Sequence, residues 1–119
     1  MKHRILVVDD SSSLVLSLAE LLKYNGFEVE TSLSGTEALH KIETEDYDLV
    51  ICDIEMPGMS GLEFLSHIRR DYEKEIDVIL MTGYEDDEYF IEAIRNGASD
   101  FIRKPIDSKQ MLRSIQTIL

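Results

Sequence analysis

A chain of 119 residues with 24 acidic against 12 basic side chains, net charge -12, has the size of one domain with a full core and is too small for two. That acidity argues against nucleic-acid binding through this domain and against attraction to anionic lipid, and no apolar run approaches membrane-spanning length. The single cysteine, Cys52, lies inside an apolar run, which predicts a buried thiol in a reducing cytoplasm.

Taken in order, Ile5-Leu6-Val7-Val8 is a continuous apolar run that stops at Asp9-Asp10. Ser11 then caps a predicted helix whose stripe is Leu14, Val15, Leu18, Leu21 and Leu22, and Gly26 ends it. Leu16 falls off that stripe. Phe27, Val29 and Thr31 alternate with Glu28 and Glu30, the pattern of a half-buried strand. Ser34-Gly35-Thr36-Glu37 is a capping box for a second helix with Ala38, Leu39 and Ile42 facing in.

Leu49 to Cys52 is a third strand, and it runs into Asp53 and a Met56-Pro57-Gly58 turn. Ser60-Gly61-Leu62-Glu63 is a second capping box, with Phe64, Leu65, Ile68 and Tyr72 as the inner face of the helix that follows. Val78 to Met81 form a fourth strand ending at Thr82-Gly83. The acidic run Glu85 to Glu88 suits a helix start, where carboxylates complement the dipole. Phe90, Ala93 and Ile94 make that helix's apolar side before Gly97. Phe101-Ile102 is a short fifth strand ending at Lys104-Pro105. A last helix, capped by Asp107 or Ser108, presents Met111, Leu112, Ile115 and Leu119.

Five strands alternating with five helices predict an α/β fold, a doubly wound parallel sheet with helices on both faces. Strands one, three and four are apolar throughout, as interior strands covered on both faces must be. The second alternates with Glu and the fifth is short and carries Arg103, so these are the predicted edges. The order is then 2-1-3-4-5, that of a flavodoxin-like (βα)5 sheet.

In that order the C-terminal strand ends bring Asp9, Asp10, Asp53, Thr82 and Lys104 to one edge. Any one of them alone reads as an ordinary loop or surface residue; together they make a chemistry. Three crowded carboxylates repel one another and call for a cation. Oxygen donors in so small a number suit Mg²⁺ or Mn²⁺, which keep water and accept phosphate oxygens. A hydroxyl and an ammonium from the far side complete a site for phosphoryl transfer onto a carboxylate.

The chain resembles the receiver domain of bacterial two-component response regulators over essentially all 119 residues. The resemblance is carried by Asp9-Asp10, by Asp53 with Met56-Pro57-Gly58 and Gly61, by Thr82-Gly83, and by Gly97-Ala98 leading through Asp100-Phe101 to Lys104-Pro105. It implies that residues 1–119 form one phosphoacceptor domain in which Asp53 takes a phosphoryl group from a sensor histidine kinase or phosphotransfer protein. Such a domain is not an enzyme in the ordinary sense, although it promotes its own phosphorylation and dephosphorylation. The resemblance further implies that Asp10, Asp53 and the backbone carbonyl of Glu55 bind Mg²⁺, with Asp9 acting through water. Thr82 and Lys104 would contact phosphoryl oxygens, Phe101 would be the aromatic switch, and Lys104-Pro105 would be a cis peptide. Glu55 and Tyr84 occupy positions that influence phosphate lifetime in the family; in this chain Glu55 is expected to add local negative charge and Tyr84 to shield part of the acyl phosphate from water. A cytoplasmic regulator is expected, either stand-alone or joined to an output domain, with dimerisation on phosphorylation as one outcome.

Other readings fit less well. A haloacid-dehalogenase-like phosphatase carries its nucleophile after the first strand in an Asp-x-Asp motif, whereas adjacent aspartates stand here. A flavin-mononucleotide domain using Ser11-Ser12-Ser13 would set its phosphate against Asp9 and Asp10. A pseudo-receiver acting only as an interaction module would be expected to lack part of the site. His3, His40 and His67 show no ligand spacing and read as surface residues.

Overall fold

The computed structural model describes residues 2–72, 74–83 and 87–119, with the backbone alone for 87–90. Strands β1 (Arg4–Val8), β2 (Glu28–Ser32), β3 (Leu49–Asp53), β4 (Asp77–Thr82) and β5 (Asp100–Arg103) alternate along the chain with helices. These are α1 (Ser12–Tyr24), α2 (Gly35–Thr44), α3 (Gly61–Arg70), α4 (Asp87–Arg95) and α5 (Ser108–Ile118). All strand pairings are parallel and the order is β2-β1-β3-β4-β5, as the distribution of polar residues among the strands predicts.

The uninterrupted apolar runs have a direct cause. Successive side chains of a strand point to opposite faces, and here both faces are covered. Leu6, Val8, Val50, Cys52, Val78 and Leu80 join Ala38, Leu39, Ile42, Phe64, Leu65 and Ile68 of α2 and α3 on one side. On the other, Ile5, Val7, Leu49, Ile51, Ile79 and Met81 join Val15, Leu18 and Leu22 of α1 with Met111 and Ile115 of α5. Side-chain caps start four of the helices: Ser11 accepts from the Leu14 amide, Ser34 from Glu37, Ser60 from Glu63, and Asp107 from Lys109. Asp107, not Ser108, is therefore the cap of α5.

Several local expectations shift. β2 starts at Glu28, so Phe27 precedes it, and its alternation is blurred because Glu30 is half-buried. That carboxylate pairs with Arg4 at 2.9 Å and accepts the Tyr47 hydroxyl, at the sheet end remote from the aspartates. Ile94 is 46% exposed, because the buried Ala93 defines the inner line of α4 and the next residue stands about 100° round the helix. Leu119 lies past the last turn of α5 at the surface, and Tyr72 lies past α3, half-buried against the core. Leu16 is exposed, as its position off the stripe implies. The acidic residues Glu85 and Asp86, and the side chain of Phe90, lie outside the described residues. No helix among the described residues is long and apolar enough to cross a membrane.

Candidate functional site

Parallel strands share one C-terminal edge, and register decides which residues meet there. β1 and β3 pair with Val8 opposite Cys52, so the next residue of each strand, Asp9 and Asp53, stand side by side. β3 pairs with β4 through Asp53 and Met81, which puts Thr82 one step beyond Asp53 on the neighbouring strand. Lys104 follows β5, and its backbone amide donates to the Thr82 carbonyl at 2.6 Å. The Lys104-Pro105 peptide is cis.

The edge is built into the core. Asp9 is 0% and Asp53 2% exposed, while Asp10 is open to solvent. Ligand oxygens of all three carboxylates lie within 4.8 Å of one another. Lys104 reaches in from the far side, with its Nζ 3.0 Å from Asp9 Oδ2 and 3.2 Å from Asp53 Oδ1. The two contacts differ. Asp9 accepts a hydrogen bond from Lys104, and its other oxygen takes the Ser11 amide at 2.9 Å. Among the described residues, Asp53 Oδ1 has the ammonium's charge nearby but no hydrogen bond, although it is fully buried. A buried carboxylate oxygen left in that state is short of a partner.

Two of the chosen residues meet in a way the sequence did not announce. The Thr82 hydroxyl, fully buried, donates to Oε1 of Glu55, so the Glu55 side chain folds over the site from the loop after β3. Sequence reasoning assigned Glu55 a backbone role and a general charge. Its side-chain partner stands 27 positions away, and no local pattern could name it. Phe101 is 8% exposed and packs in the core on the α2–α3 side of the sheet. It is thus a core residue of β5, whatever else it does. Tyr84 lies outside the described residues.

The loop that carries Asp53 is held by backbone contacts. The Ile54 amide donates to the Met81 carbonyl at 2.8 Å, and the Gly61 amide to the Ile54 carbonyl at 2.9 Å. Gly58 turns the chain at φ +80, where other residues are strained, and Gly61 lies flat against the strand end. These two glycines explain why the Met-Pro-Gly turn and the following Gly accompany the aspartate.

Burial, the Glu55 carboxyl and the Asp9 charge together push Asp53 up to about 7 in the metal-free protein, against the pull of Lys104. Burial alone would lower Lys104, but its two carboxylate partners outweigh it and hold it above its ordinary value. Cys52, with no exposure, is pushed well above the usual thiol range by burial and serves as core. The raised Asp53 value has a signed consequence for stability. Between the ordinary carboxylate pKa near 4 and about 7, the folded state binds a proton that the unfolded state has lost, so stability falls as pH rises through this window. Without metal, Asp53→Asn is expected to be more stable than wild type by about 1–3 kcal/mol near pH 8, with the gap closing toward about pH 5. Paired denaturant titrations at the two pH values measure it, and a gap that does not depend on pH would contradict the assignment.

A sequence model of the response regulator receiver domain matches residues 5–116. The chain belongs to the response regulator receiver family. Among curated relatives, this receiver is 35% identical over 120 residues to the chemotaxis protein CheY of Bacillus subtilis, covering 100% of the chain and 99% of that protein. It is 36% identical over 115 residues to the transcriptional regulatory protein ZraR of Klebsiella oxytoca, covering 97% of the chain but 26% of that protein. The chain thus spans about a quarter of the length of such regulators. Among solved structures, the receiver superposes on chemotaxis response regulator CheY4 of Vibrio cholerae with a TM-score of 0.92 at 31% identity, each chain covered in full. It superposes on response regulator TrrA of Thermotoga maritima, solved in complex with Mg²⁺-BeF, with a TM-score of 0.88 at 37% identity, again in full. Domains of this family are signalling switches of two-component systems, and the Asp9-Asp10-Asp53 cluster of this receiver could hold a metal ion.

Proposed function

We propose that residues 1–119 form a phosphoacceptor domain in which Asp53 receives a phosphoryl group from a phosphohistidine on a sensor kinase or phosphotransfer protein. The observation that carries the reading is Asp53 Oδ1, a buried carboxylate oxygen with a cation 3.2 Å away and, among the described residues, no hydrogen bond. An oxygen fixed by the core yet unsatisfied is available both to a metal and to phosphorus. In the transfer, an Asp53 oxygen bonds to phosphorus as the phosphorus–nitrogen bond to the donor imidazole breaks, and the imidazole leaves with the electron pair. The product is an acyl phosphate.

Mg²⁺, or Mn²⁺ in its place, would be held by Asp10, Asp53 and the Glu55 backbone carbonyl, and it supplies neutralisation of phosphoryl charge. Asp9, with both oxygens occupied by Lys104 and the Ser11 amide, suits an indirect role through water. Asp10, exposed beside the cluster, suits direct ligation. The Thermotoga maritima relative, solved with Mg²⁺-BeF, supports this ligand chemistry. Thr82 and Lys104 would bond the remaining phosphoryl oxygens from the β4 and β5 side. Phe101 packs beside Thr82's strand, with Leu80 opposite it in the ladder, so a shift of Thr82 changes the space its ring fills. That repacking would carry the phosphorylated state to an output domain, a partner protein or a second copy of the domain, in the cytoplasm. The meeting of Asp9, Asp10, Asp53 and Lys104 at one sheet edge, with Thr82 at the end of the neighbouring strand, is the reason to prefer this reading to an interaction-only module. Intact-mass measurement after incubation with acetyl phosphate tests it: one added phosphoryl group is expected with Mg²⁺, and none with excess EDTA. Equal modification under both conditions would sink the metal-dependent reading.

A further inference from the structure

Sulfur has no part in the transfer just described, yet one thioether sits on the loop that shapes the site. Met56, Met81 and Met111 are at most 8% exposed, and Met1 lies outside the described residues. The one cysteine, Cys52, is fully buried. Met59 is half-buried, packed against the core on the α2–α3 side of the sheet and reached by water from the other side. It is the most exposed sulfur among the described residues. Its seat is specific. Met59 lies on the loop between Asp53 and Gly61, which also carries the Glu55 carbonyl. Its side chain covers Gly35, the buried first residue of α2: a Cβ there would stand 3.0 Å from Met59 Sδ and 3.2 Å from its Cβ and Cγ. The thioether thus closes the joint between this loop and α2, in the space that the missing Cβ leaves.

We infer that Met59 is a modification site, at which oxidation of the thioether by a peroxide unseats the loop and makes Asp53 slower to accept a phosphoryl group. This rests on the phosphoacceptor reading of Asp53. In the step, a sulfur lone pair of Met59 bonds to one peroxide oxygen as the oxygen–oxygen bond breaks. With hydrogen peroxide, the second oxygen leaves as hydroxide and takes the proton of the transferred oxygen to become water. Sulfur loses two electrons, the peroxide gains them, and the product is a sulfoxide. An apolar, adaptable side chain becomes a polar one, and its place against the core and Gly35 no longer suits it. Its favourable exit is outward into water, and the loop bearing the Glu55 carbonyl moves with it. Met59 acts through that loop and is a positioning residue.

Partial oxidation of the whole chain with hydrogen peroxide, followed by acetyl phosphate and Mg²⁺, tests this in one tube. Intact mass separates oxidised from unoxidised molecules and counts the phosphoryl groups on each, while peptide mapping locates the added oxygen. Met59 is expected to oxidise ahead of Met56, Met81 and Met111. Molecules oxidised at Met59 are expected to take up phosphoryl about fivefold more slowly than unoxidised ones, the order of the penalty for a polar group partly withdrawn from water. Treatment with methionine sulfoxide reductases should restore the rate. In Met59→Leu, which keeps an apolar side chain over Gly35, molecules oxidised elsewhere should match unoxidised ones. Equal uptake by both wild-type populations would overturn the proposal, as would oxidation of a buried methionine before Met59, or slowed uptake by oxidised Met59→Leu. Absence of uptake in every population would bring down the phosphoacceptor reading itself, and this one with it.

Discussion

Asp53→Asn is expected to take up no phosphoryl group from acetyl phosphate and Mg²⁺ under conditions where the wild-type chain is modified. The amide keeps the size and burial of the side chain but has no anionic oxygen to attack phosphorus, and an amide is a poor ligand for Mg²⁺. The fold should tolerate the change, since it removes one of three carboxylates held within 4.8 Å of one another and leaves Lys104 paired with Asp9 at 3.0 Å. The loss should therefore be complete and should come with higher metal-free stability. Intact mass and a denaturant midpoint on the same sample measure both. A variant that is modified to the wild-type extent would place the acceptor elsewhere. A variant that is inactive because it is unfolded would show a lowered midpoint, the reverse of what the geometry demands.

The second large effect is structural. A Cβ on Gly61 would lie 2.3 Å from the Asp53 carbonyl oxygen, 2.8 Å from Ile54 Cα and 2.9 Å from the Asp53 carbonyl carbon. All three are backbone atoms of the strand end and cannot rotate away. Gly61→Ala is therefore expected to cost about 2–4 kcal/mol in denaturant unfolding, because α3 has to move off β3 or the end of β3 has to bend. Either shift displaces Asp53, so Mg²⁺ affinity should fall as well. Gly58 offers the contrast. A Cβ there meets nothing within 4 Å, and only its φ of +80 is unfavourable, so Gly58→Ala should cost about 1 kcal/mol. Similar costs at the two positions would show that close approach of backbone to backbone is not what Gly61 provides.

Much of this was open to inspection in the residues themselves. Ile5–Val8, Leu49–Cys52 and Val78–Met81 read as strands covered on both faces, and the Glu-bearing second and short fifth strands as edges. Those contrasts predict the order, and the order brings Asp9, Asp53, Thr82 and Lys104 together. Three serines placed just before helices capped them as expected, since capping is a contact between neighbours in sequence. The misjudged positions were of another kind. Ile94 looked like core by its chemistry, but which side of α4 faces the sheet depends on how the helix is set down. Glu30 reads as a solvent carboxylate, but Arg4 and Tyr47 lie around it.

The strands, their order, and the edge at which a carboxylate, a hydroxyl and an ammonium converge are legible in the chain's residues. These follow from hydrophobic period and composition, which are properties of short stretches of chain. How the convergent groups divide their partners follows from the folded geometry: Lys104 hydrogen-bonded to Asp9 rather than to Asp53, Asp53 Oδ1 without a hydrogen bond among the described residues, and Thr82 donating to Glu55. Those assignments turn on angles and on shifts of less than an ångström between residues tens of positions apart. Hydrogen bonds are directional at that scale, and sequence spacing is not.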